Sequence, residues 1–124
     1  MQILISNHTT KPIYEQITSQ IKHAIMNGEL KSGDPLPSMR ALAKDLHISV
    51  ITTQKAYEDL QRDGFIESAA GRGTFVSSQN KEFIREEQLR LAEAKLQEAA
   101  EIGRLNGISV ETLTKLLTMF YDEG

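Results

Sequence analysis

Cysteine and tryptophan are missing from these 124 residues, and aromatic residues of all kinds make up only 6% of the chain. Without cysteine there is no disulfide, no zinc–thiolate site and no thiol nucleophile. Nothing in this composition requires an oxidising compartment, so the expected location is the cytoplasm. No apolar run approaches the roughly 18 residues of a membrane helix, and Met1–Ser6 lacks the basic residues that open a signal peptide. With so few aromatic residues, the core is expected to be mainly aliphatic.

An excess of positive charge, the usual mark of a nucleic-acid binder, is also missing, because the net charge is −3. The charge is unevenly distributed, however. Residues 1–79 carry eight Lys and Arg against eight Asp and Glu, whereas residues 80–124 carry six against nine. Any surface that faces phosphate is therefore expected in the first part of the chain, and the overall charge says little about it.

The spacing of apolar residues predicts helices in the first part of the chain. One helix is predicted over residues 12–27, with Pro12 in its first turn and Asn27-Gly28 ending it in a left-handed C-cap. Two prolines in residues 30–37 then exclude a helix. Ser38 is a suitable N-cap for a short second helix that ends at Leu46.

The segment that follows is ambiguous in isolation. Val50–Thr53 are four consecutive β-branched residues, which favour a strand, whereas Gln54–Asp63 favours a helix. A strand would leave too few residues for a helix behind it, so we predict a helix from the N-cap Ser49 to about Arg62. A helix start with such poor intrinsic propensity suggests selection for what those side chains contact.

Two short β-rich runs come next. Phe65–Ser68 and Gly73–Ser77 flank a small-residue tip, Ala69–Arg72, which carries one arginine. Three helices followed by a hairpin describe a winged helix-turn-helix. The predicted fold class is therefore mainly α with a small β-hairpin: a winged helix-turn-helix over residues 1–78, followed by two C-terminal helices.

Residues 79–124 are predicted to form a helical dimerisation tail. One helix is expected from Asn80 to about Gly103, and a second after the N-cap Ser109. Two amphipathic helices of this kind cannot form a core alone, so we expect them to pack on a second copy of the chain. The apolar residues of this expected dimer seam are Leu89, Ala92, Leu96, Ala99, Leu113, Leu116, Leu117 and Phe120.

Four stretches of residues 11–77 together resemble the DNA-binding domain of the GntR family of regulators. They are PIYEQI at 12–17, GELKSGDPLPSMRALA at 28–43, AYEDLQRDGFI at 56–66 and GRGTFV at 71–76. The resemblance implies a homodimer that binds a pseudo-palindromic operator in double-stranded DNA. The short two-helix tail is similar to the YtrA-type branch, whose members commonly repress operons that include ABC-transporter genes, often their own operon as well.

The resemblance also assigns roles to single positions. It places a DNA-contacting arginine at Arg40, the start of the recognition helix at residues 50–54, and the tip of the wing, which usually meets the minor groove, at Gly71 and Arg72. The expected DNA-binding residues are Ser38, Arg40, Ser49, Val50, Ile51, Thr52, Gln54, Lys55, Gly71 and Arg72. Many relatives carry a guanine-reading arginine where this chain has Val50, so we expect apolar contacts with thymine methyl groups and A/T-rich half-sites.

No catalytic, metal or cofactor site is indicated. The three histidines, His8, His23 and His47, lack metal-ligand spacing, and the carboxylates of the third helix form no enclosed acid–base pair. We therefore expect neither an enzyme nor a bound cofactor. Tyr57 is assigned to the core, with its hydroxyl at the DNA phosphate backbone.

A second hypothesis remains open at this point. The balanced charge of residues 1–79 and the apolar Val50 are also compatible with a protein-interaction module that keeps the winged-helix fold without reading DNA. No effector-binding domain is recognisable in the sequence, so the sequence does not indicate which small-molecule effector, if any, the protein binds.

Overall fold

The computed structural model describes residues 1–78 and 81–123, and within them the chain forms five helices and one antiparallel hairpin. In chain order these are α1 (Ile13–Met26), α2 (Met39–Leu46), α3 (Val50–Arg62), β1 (Ile66–Ala69), β2 (Gly73–Val76), α4 (Lys81–Asn106) and α5 (Val110–Glu123). The mainly α fold with a small hairpin is confirmed.

The predicted helix boundaries in the first part of the chain are close to the observed ones. The Ser38 hydroxyl accepts a hydrogen bond from the Ala41 N–H at 3.0 Å, and the Ser49 hydroxyl accepts one from the Thr52 N–H at 3.1 Å. Each serine thereby satisfies an N–H group that the first turn of a helix leaves without a partner. Pro12 precedes α1 as its N-cap instead of lying in its first turn.

The chain divides into two compact units, Met1–Ile84 and Arg85–Gly124. The expected boundary after residue 78 adjoins residues 79 and 80, which lie outside the described residues, as does the predicted helix start at Asn80. The first unit extends to Ile84 because this side chain is buried in its hydrophobic core.

The core of the first unit is mainly aliphatic, as the composition predicts. α3 packs against both α1 and α2, and Ile17, Ile21 and Leu60 are completely buried. Tyr57 and Phe65 are the largest of the fully buried side chains. Burial of these apolar groups is the main stabilising contribution to the unit.

The hairpin has an additional neighbour that the sequence did not predict. β1 pairs with β2 in the register Ile66↔Val76, and the turn-rich segment before α2 runs antiparallel along the other edge of β2. The Leu36 N–H donates to the Thr74 carbonyl at 2.9 Å, and the Val76 N–H donates to the Asp34 carbonyl at 2.8 Å. The wing is thus attached to the segment that leads directly into α2.

The N-terminal segment is held on α1 by two glutamines. The Gln20 amide accepts from the Leu4 N–H and donates to the Leu4 carbonyl, at 2.9 and 2.8 Å. Gln16 forms the same pair of bonds with Ser6 at 2.8 and 3.0 Å. These side chains replace the backbone partners of a strand, and Ile3 of the same segment is buried in the core.

The second unit consists of most of α4 and the whole of α5. α4 runs to Asn106, past its expected end near Gly103, and the chain turns instead at Gly107, where φ is +69°. Gly103 lies inside α4 at a point where α5 approaches closely, since a Cβ there would lie 2.8 Å from Leu113 Cδ1. The Ser109 hydroxyl caps α5 by accepting from the Thr112 N–H at 3.1 Å.

Side-chain burial is almost absent from this second unit. α5, from Val110 to Glu123, contributes no buried residue. Among the described residues, no helix combines the length and the apolar character needed to cross a membrane.

Candidate nucleic-acid interface

A three-residue turn, His47–Ser49, joins α2 to α3. His47 ends α2 in the left-handed conformation, with φ +56°. The Ile48 N–H donates to the Ala43 carbonyl at 3.0 Å, and Ser49 then caps α3. Ile48 packs against the core, so the turn is anchored by a side chain as well as by the backbone.

Two hydroxyl groups of α3 hold it against the start of α2. The Thr53 hydroxyl, which is fully buried, lies 3.0 Å from the Met39 carbonyl and 2.9 Å from the Val50 carbonyl. The Tyr57 hydroxyl donates to the Pro37 carbonyl at 2.7 Å. Because the contacts with the Met39 and Pro37 carbonyls join α3 to the backbone on either side of Ser38, the first turn of α2 is fixed against the first half of α3.

The expected contact of Tyr57 with a DNA phosphate is therefore wrong. Its hydroxyl points to the Pro37 carbonyl inside the protein, and burial raises the pKa of Tyr57 to about 12. The assignment of Tyr57 to the core is correct, since its side chain is almost completely buried. Sequence reasoning missed its positioning role, although the spacing of four residues between Thr53 and Tyr57 does place both on one helix face.

The first turn of α3 is open to solvent and apolar. Ile51 is 77% exposed and Val50 is 43% exposed, whereas Thr53 on the opposite side is completely buried. Thr52 is half-buried, and its hydroxyl lies 2.9 Å from the Ser49 hydroxyl. The residues of this turn that are expected to face DNA thus differ in their exposure to solvent, and Ile51 is more exposed than Val50 or Thr52.

Gln54 and Lys55 are exposed and form contacts one turn further along α3. The Gln54 amide donates to Glu58 Oε1 at 3.1 Å, and the Lys55 ammonium forms an ion pair with Asp59 at 3.1 Å. Pairs of this kind on a helix surface contribute only about 0.3–0.5 kcal/mol. Both side chains therefore remain able to exchange these partners for a ligand.

Arg40 carries a positive charge at the start of α2, and Arg72 carries one at the tip of the hairpin. Arg40 lies in the first turn of α2, is exposed, and has neither an ion-pair nor a hydrogen-bond partner within residues 1–78 and 81–123. Arg72 stands at the hairpin tip with its guanidinium 4.6 Å from the centre of the Phe75 ring. Gly71 beside it has φ +80°, a conformation that side-chain-bearing residues rarely adopt.

The N-termini of the five helices differ in their charge. α1, α4 and α5 each carry a glutamate in the first turn, namely Glu15, Glu82 and Glu111, whereas α2 and α3 carry no acidic residue there. A helix N-terminus has a partial positive charge that favours anions, and an acidic side chain there would neutralise it. The starts of α2 and α3 are therefore left suitable for a phosphate.

The structure brings most of the expected DNA-binding residues to one junction. The carbonyls of Pro37 and Met39 accept hydrogen bonds from the hydroxyls of Tyr57 and Thr53. The hairpin is bonded to the residue before Pro37, through the Leu36 N–H and the Thr74 carbonyl. The residues at the starts of α2 and α3 thereby lie next to each other, and the hairpin is joined to the segment before α2 along β2. Sequence reasoning could not find this junction because it depends on backbone carbonyls.

The second unit carries an apolar groove between its own two helices, with a volume of about 350 Å³. Six residues of the expected dimer seam line it: Leu96, Ala99, Leu113, Leu116, Leu117 and Phe120. Ala92 lines a neighbouring groove with Leu96 and Leu117, while Leu89 is exposed on α4 and lines neither. The groove also includes Ala100 and Val110, which the sequence did not single out.

Comparison with known proteins gives matches to both parts of the chain. The family model described as bacterial regulatory proteins, gntR family, matches residues 13–76. The HTH-type transcriptional repressor YtrA of Bacillus subtilis is 36% identical over 111 residues, which cover 90% of this chain and 85% of that repressor.

The chain is also similar to several solved structures. YtrA from Sulfolobus acidocaldarius, described as a GntR-family transcription factor, is 31% identical with a TM-score of 0.65, over 98% of this chain and 97% of that one. AraR(DBD) in complex with operator ORX1 is 28% identical with a TM-score of 0.54, over 62% of this chain and 96% of that one.

Proposed function

This chain belongs to the gntR family of bacterial regulatory proteins, and on that premise we propose that it is a dimeric repressor that binds a pseudo-palindromic DNA operator. The observation that carries the proposal is the exposed first turn of α3, which Thr53 and Tyr57 hold against the start of α2. The chain that carries this turn matches a transcriptional repressor over nine-tenths of its length. Its similarity is to regulators and not to enzymes.

The starts of α2 and α3 are the proposed DNA-binding elements. The first turn of α3, Val50–Gln54, enters the major groove, where base edges differ in their donors, acceptors and methyl groups. Ser38, Arg40, Ser49 and Lys55 meet phosphates on either side, helped by two helix N-termini without acidic neighbours. Gly71 and Arg72 bring the wing to the adjacent minor groove.

The second unit is the proposed dimer interface. Its groove is almost entirely apolar and is lined by seam residues of both helices, and the unit has almost no core of its own. A second copy of the same unit covers it in a two-fold arrangement, which places two recognition helices about 34 Å apart, one turn of DNA. Dimerisation makes binding of the second half-site intramolecular and so raises the affinity for a palindrome.

Repression then follows from occupancy of a promoter by the preformed dimer. The operator we propose lies upstream of the protein's own operon, with ABC-transporter genes among the regulated genes, and the protein acts in the cytoplasm. We propose no cofactor and no particular small-molecule effector.

A binding titration on the DNA upstream of the protein's own gene, at two salt concentrations and against scrambled DNA, tests the proposal. We expect tight, sequence-dependent binding that weakens steeply with salt, because phosphate contacts release counterions. Arg40→Ala and Arg72→Ala should each lower the affinity and the salt slope. Arg90→Ala is the matched control, since Arg90 is an exposed arginine of α4 that pairs with Glu87.

Two results would count against this assignment. If Arg40→Ala and Arg72→Ala both bind like the wild type, the proposed DNA-binding surface is wrong. If the wild type binds neither DNA at either salt concentration, the near-neutral first part of the chain favours a protein-interaction module instead.

The dimer is tested by sedimentation of a matched pair of variants. Leu117→Asp places a charge in the groove and should convert the dimer to a monomer, with a large loss of operator affinity. Leu105→Asp changes an exposed leucine of α4 outside the groove and should leave the dimer intact. Dimers of equal strength in both variants would contradict the proposed interface.

A further inference from the structure

We propose that this protein selects its half-sites by apolar contact with the 5-methyl group of thymine, made by Ile51 with help from Val50. The inference deepens the proposed function and rests on it, because it names what the recognition helix reads. It concerns the two apolar side chains of the proposed interface, which bring no hydrogen-bonding group to the DNA.

The first observation is the exposure of these two side chains. Ile51 is 77% exposed and Val50 is 43% exposed, at the start of a helix whose other face is fully buried at Thr53 and Ala56. The preceding Ile48 packs against the core, which shows that an apolar residue of this segment has a place inside the unit. Val50 and Ile51 have no such place inside the unit. Their exposed apolar surface stabilises a complex when a partner covers it and removes it from water.

The second observation is that the hydroxyl groups next to Val50 and Ile51 already have hydrogen-bond partners within the protein. The Ser49 hydroxyl accepts from the Thr52 N–H at 3.1 Å and lies 2.9 Å from the Thr52 hydroxyl. The Thr53 hydroxyl is buried against backbone carbonyls. The first turn of α3 therefore presents aliphatic carbon at its most exposed position, with its hydroxyl groups bonded within the protein.

The chemistry of the major groove then selects the ligand. Of the four base pairs, those containing thymine present a methyl group at the groove surface, whereas cytosine has only a hydrogen at the same ring position. An isoleucine side chain distinguishes these by burying that methyl group. Burial of one methyl-sized group corresponds to a change in affinity of about fourfold, so two half-sites of a dimer give about fifteenfold together.

Exchange of thymine for uracil tests the proposal, because uracil keeps the base pairing and lacks only the methyl group. An operator is first selected by the full-length protein from a pool of random DNA duplexes. Single thymines of each half-site are then replaced by uracil, and the same number of uracils outside the half-sites serves as the DNA control. We expect one uracil position per half-site to weaken binding about fourfold for one half-site and about fifteenfold for both.

Protein variants connect this loss to Ile51. Ile51→Ala should bind the thymine operator about as weakly as the wild type binds the uracil operator, and its preference for thymine over uracil should be smaller than that of the wild type. Leu4→Ala is the matched control, because Leu4 is 70% exposed in the same unit and lies outside the helix-turn-helix. It should retain the full preference for thymine. A thermal melt confirms that each variant folds, which is expected since both side chains are on the surface.

A third base sharpens the outcome. At the sensitive position, 5-methylcytosine paired with guanine should bind better than unmodified cytosine, since it returns the methyl group to the same place in the groove. Equal binding of thymine and uracil operators by the wild type would overturn the methyl contact while leaving operator binding intact. A failure to select any operator from the pool would instead overturn the proposed function itself.

Discussion

The two units of this protein have similar helices but opposite relations between apolar side chains and solvent. In Met1–Ile84, Ile17, Ile21 and Leu60 are completely buried. In the second unit, Phe120 is 60% exposed and Tyr121 is 83% exposed, and no residue of α5 is buried. The first unit therefore has its own hydrophobic core, whereas the second unit exposes apolar side chains of the type that form a core elsewhere.

The difference shows that amphipathic spacing by itself does not specify where a helix finds its partner. α1 and α5 are of equal length, and each has an apolar stripe. α1 lies against α3, which covers its stripe. The side chains of α5 line an open groove, which in our proposal a second chain closes.

The largest effect is expected from a cavity in the first unit. Leu60→Ala should lower the free energy of unfolding by about 3 kcal/mol. The Leu60 side chain is completely buried, so its truncation removes apolar contacts and leaves a cavity in the core. Denaturant titration at fixed protein concentration measures this. Leu4→Ala, at an exposed site, should change it by less than about 0.5 kcal/mol. A similar loss in both variants would mean that the first unit does not depend on its core.

A pH-dependent effect follows from the buried hydroxyl of Tyr57. Burial raises its pKa from 10.0 to about 12, so the fold favours the neutral form. The stabilisation is complete below about pH 10 and is lost as the pH rises towards about 12, which amounts to roughly 2–3 kcal/mol. Tyr57→Phe should reduce the alkaline fall in stability, and Tyr121→Phe should not. At neutral pH Tyr57→Phe should cost about 1 kcal/mol, since the Pro37 carbonyl loses its donor.

The second unit has one close contact that a substitution should disturb. At Gly103, a Cβ atom would lie 2.8 Å from Leu113 Cδ1 and 3.2 Å from the Ile108 carbonyl oxygen. Gly103→Val should therefore separate α5 from α4 at a cost of about 2 kcal/mol. Hydrogen exchange should show faster exchange in α5 with the first unit unchanged. Ala94→Val, at an exposed site of the same helix, should cost only the few tenths expected from helix propensity. Equal protection in both variants would show that the contact does not hold the two helices together.

The smallest effect compares one capping bond in each unit. Ser38 and Ser109 accept a backbone N–H three residues later at 3.0 and 3.1 Å, so the two caps are chemically equivalent. Each substitution by alanine should cost about 1 kcal/mol. Ser38→Ala should lower the protection of the whole first unit, because α2 packs on α3, whereas Ser109→Ala should loosen only the start of α5. A global loss from Ser109→Ala would contradict the distinction between the units.

Local patterns accounted for much of the fold. The N-caps Ser38 and Ser49, the helical reading of the β-branched run, the hairpin and the two C-terminal helices all depend on residues within a few positions of one another. The burial of Thr53 was also predictable from the helical spacing that it shares with Ala56. The residues expected to bind DNA and to form the dimer remain predictions, since their roles need a partner.

The interactions that the sequence did not reveal join distant segments through the backbone. The segment before α2 lies on β2 through the Leu36–Thr74 bond, and Gln20 binds Leu4 across 16 residues. The Tyr57 hydroxyl binds a carbonyl 20 residues earlier. Every residue except proline offers the same backbone donor and acceptor, so side-chain identity does not indicate which of them will meet.

The sequence alone therefore determined the elements of this protein and the apolar faces that they carry. Those properties follow from the 3.6-residue and two-residue periods and from capping chemistry, which act over one or two turns. Only the tertiary structure decided that the Tyr57 hydroxyl binds the Pro37 carbonyl, that Gly103 is a packing site inside α4, and that the segment before α2 lies along β2. These outcomes depend on which surfaces come into contact across the fold, because burial is a property of neighbouring elements and not of the element that carries the residue.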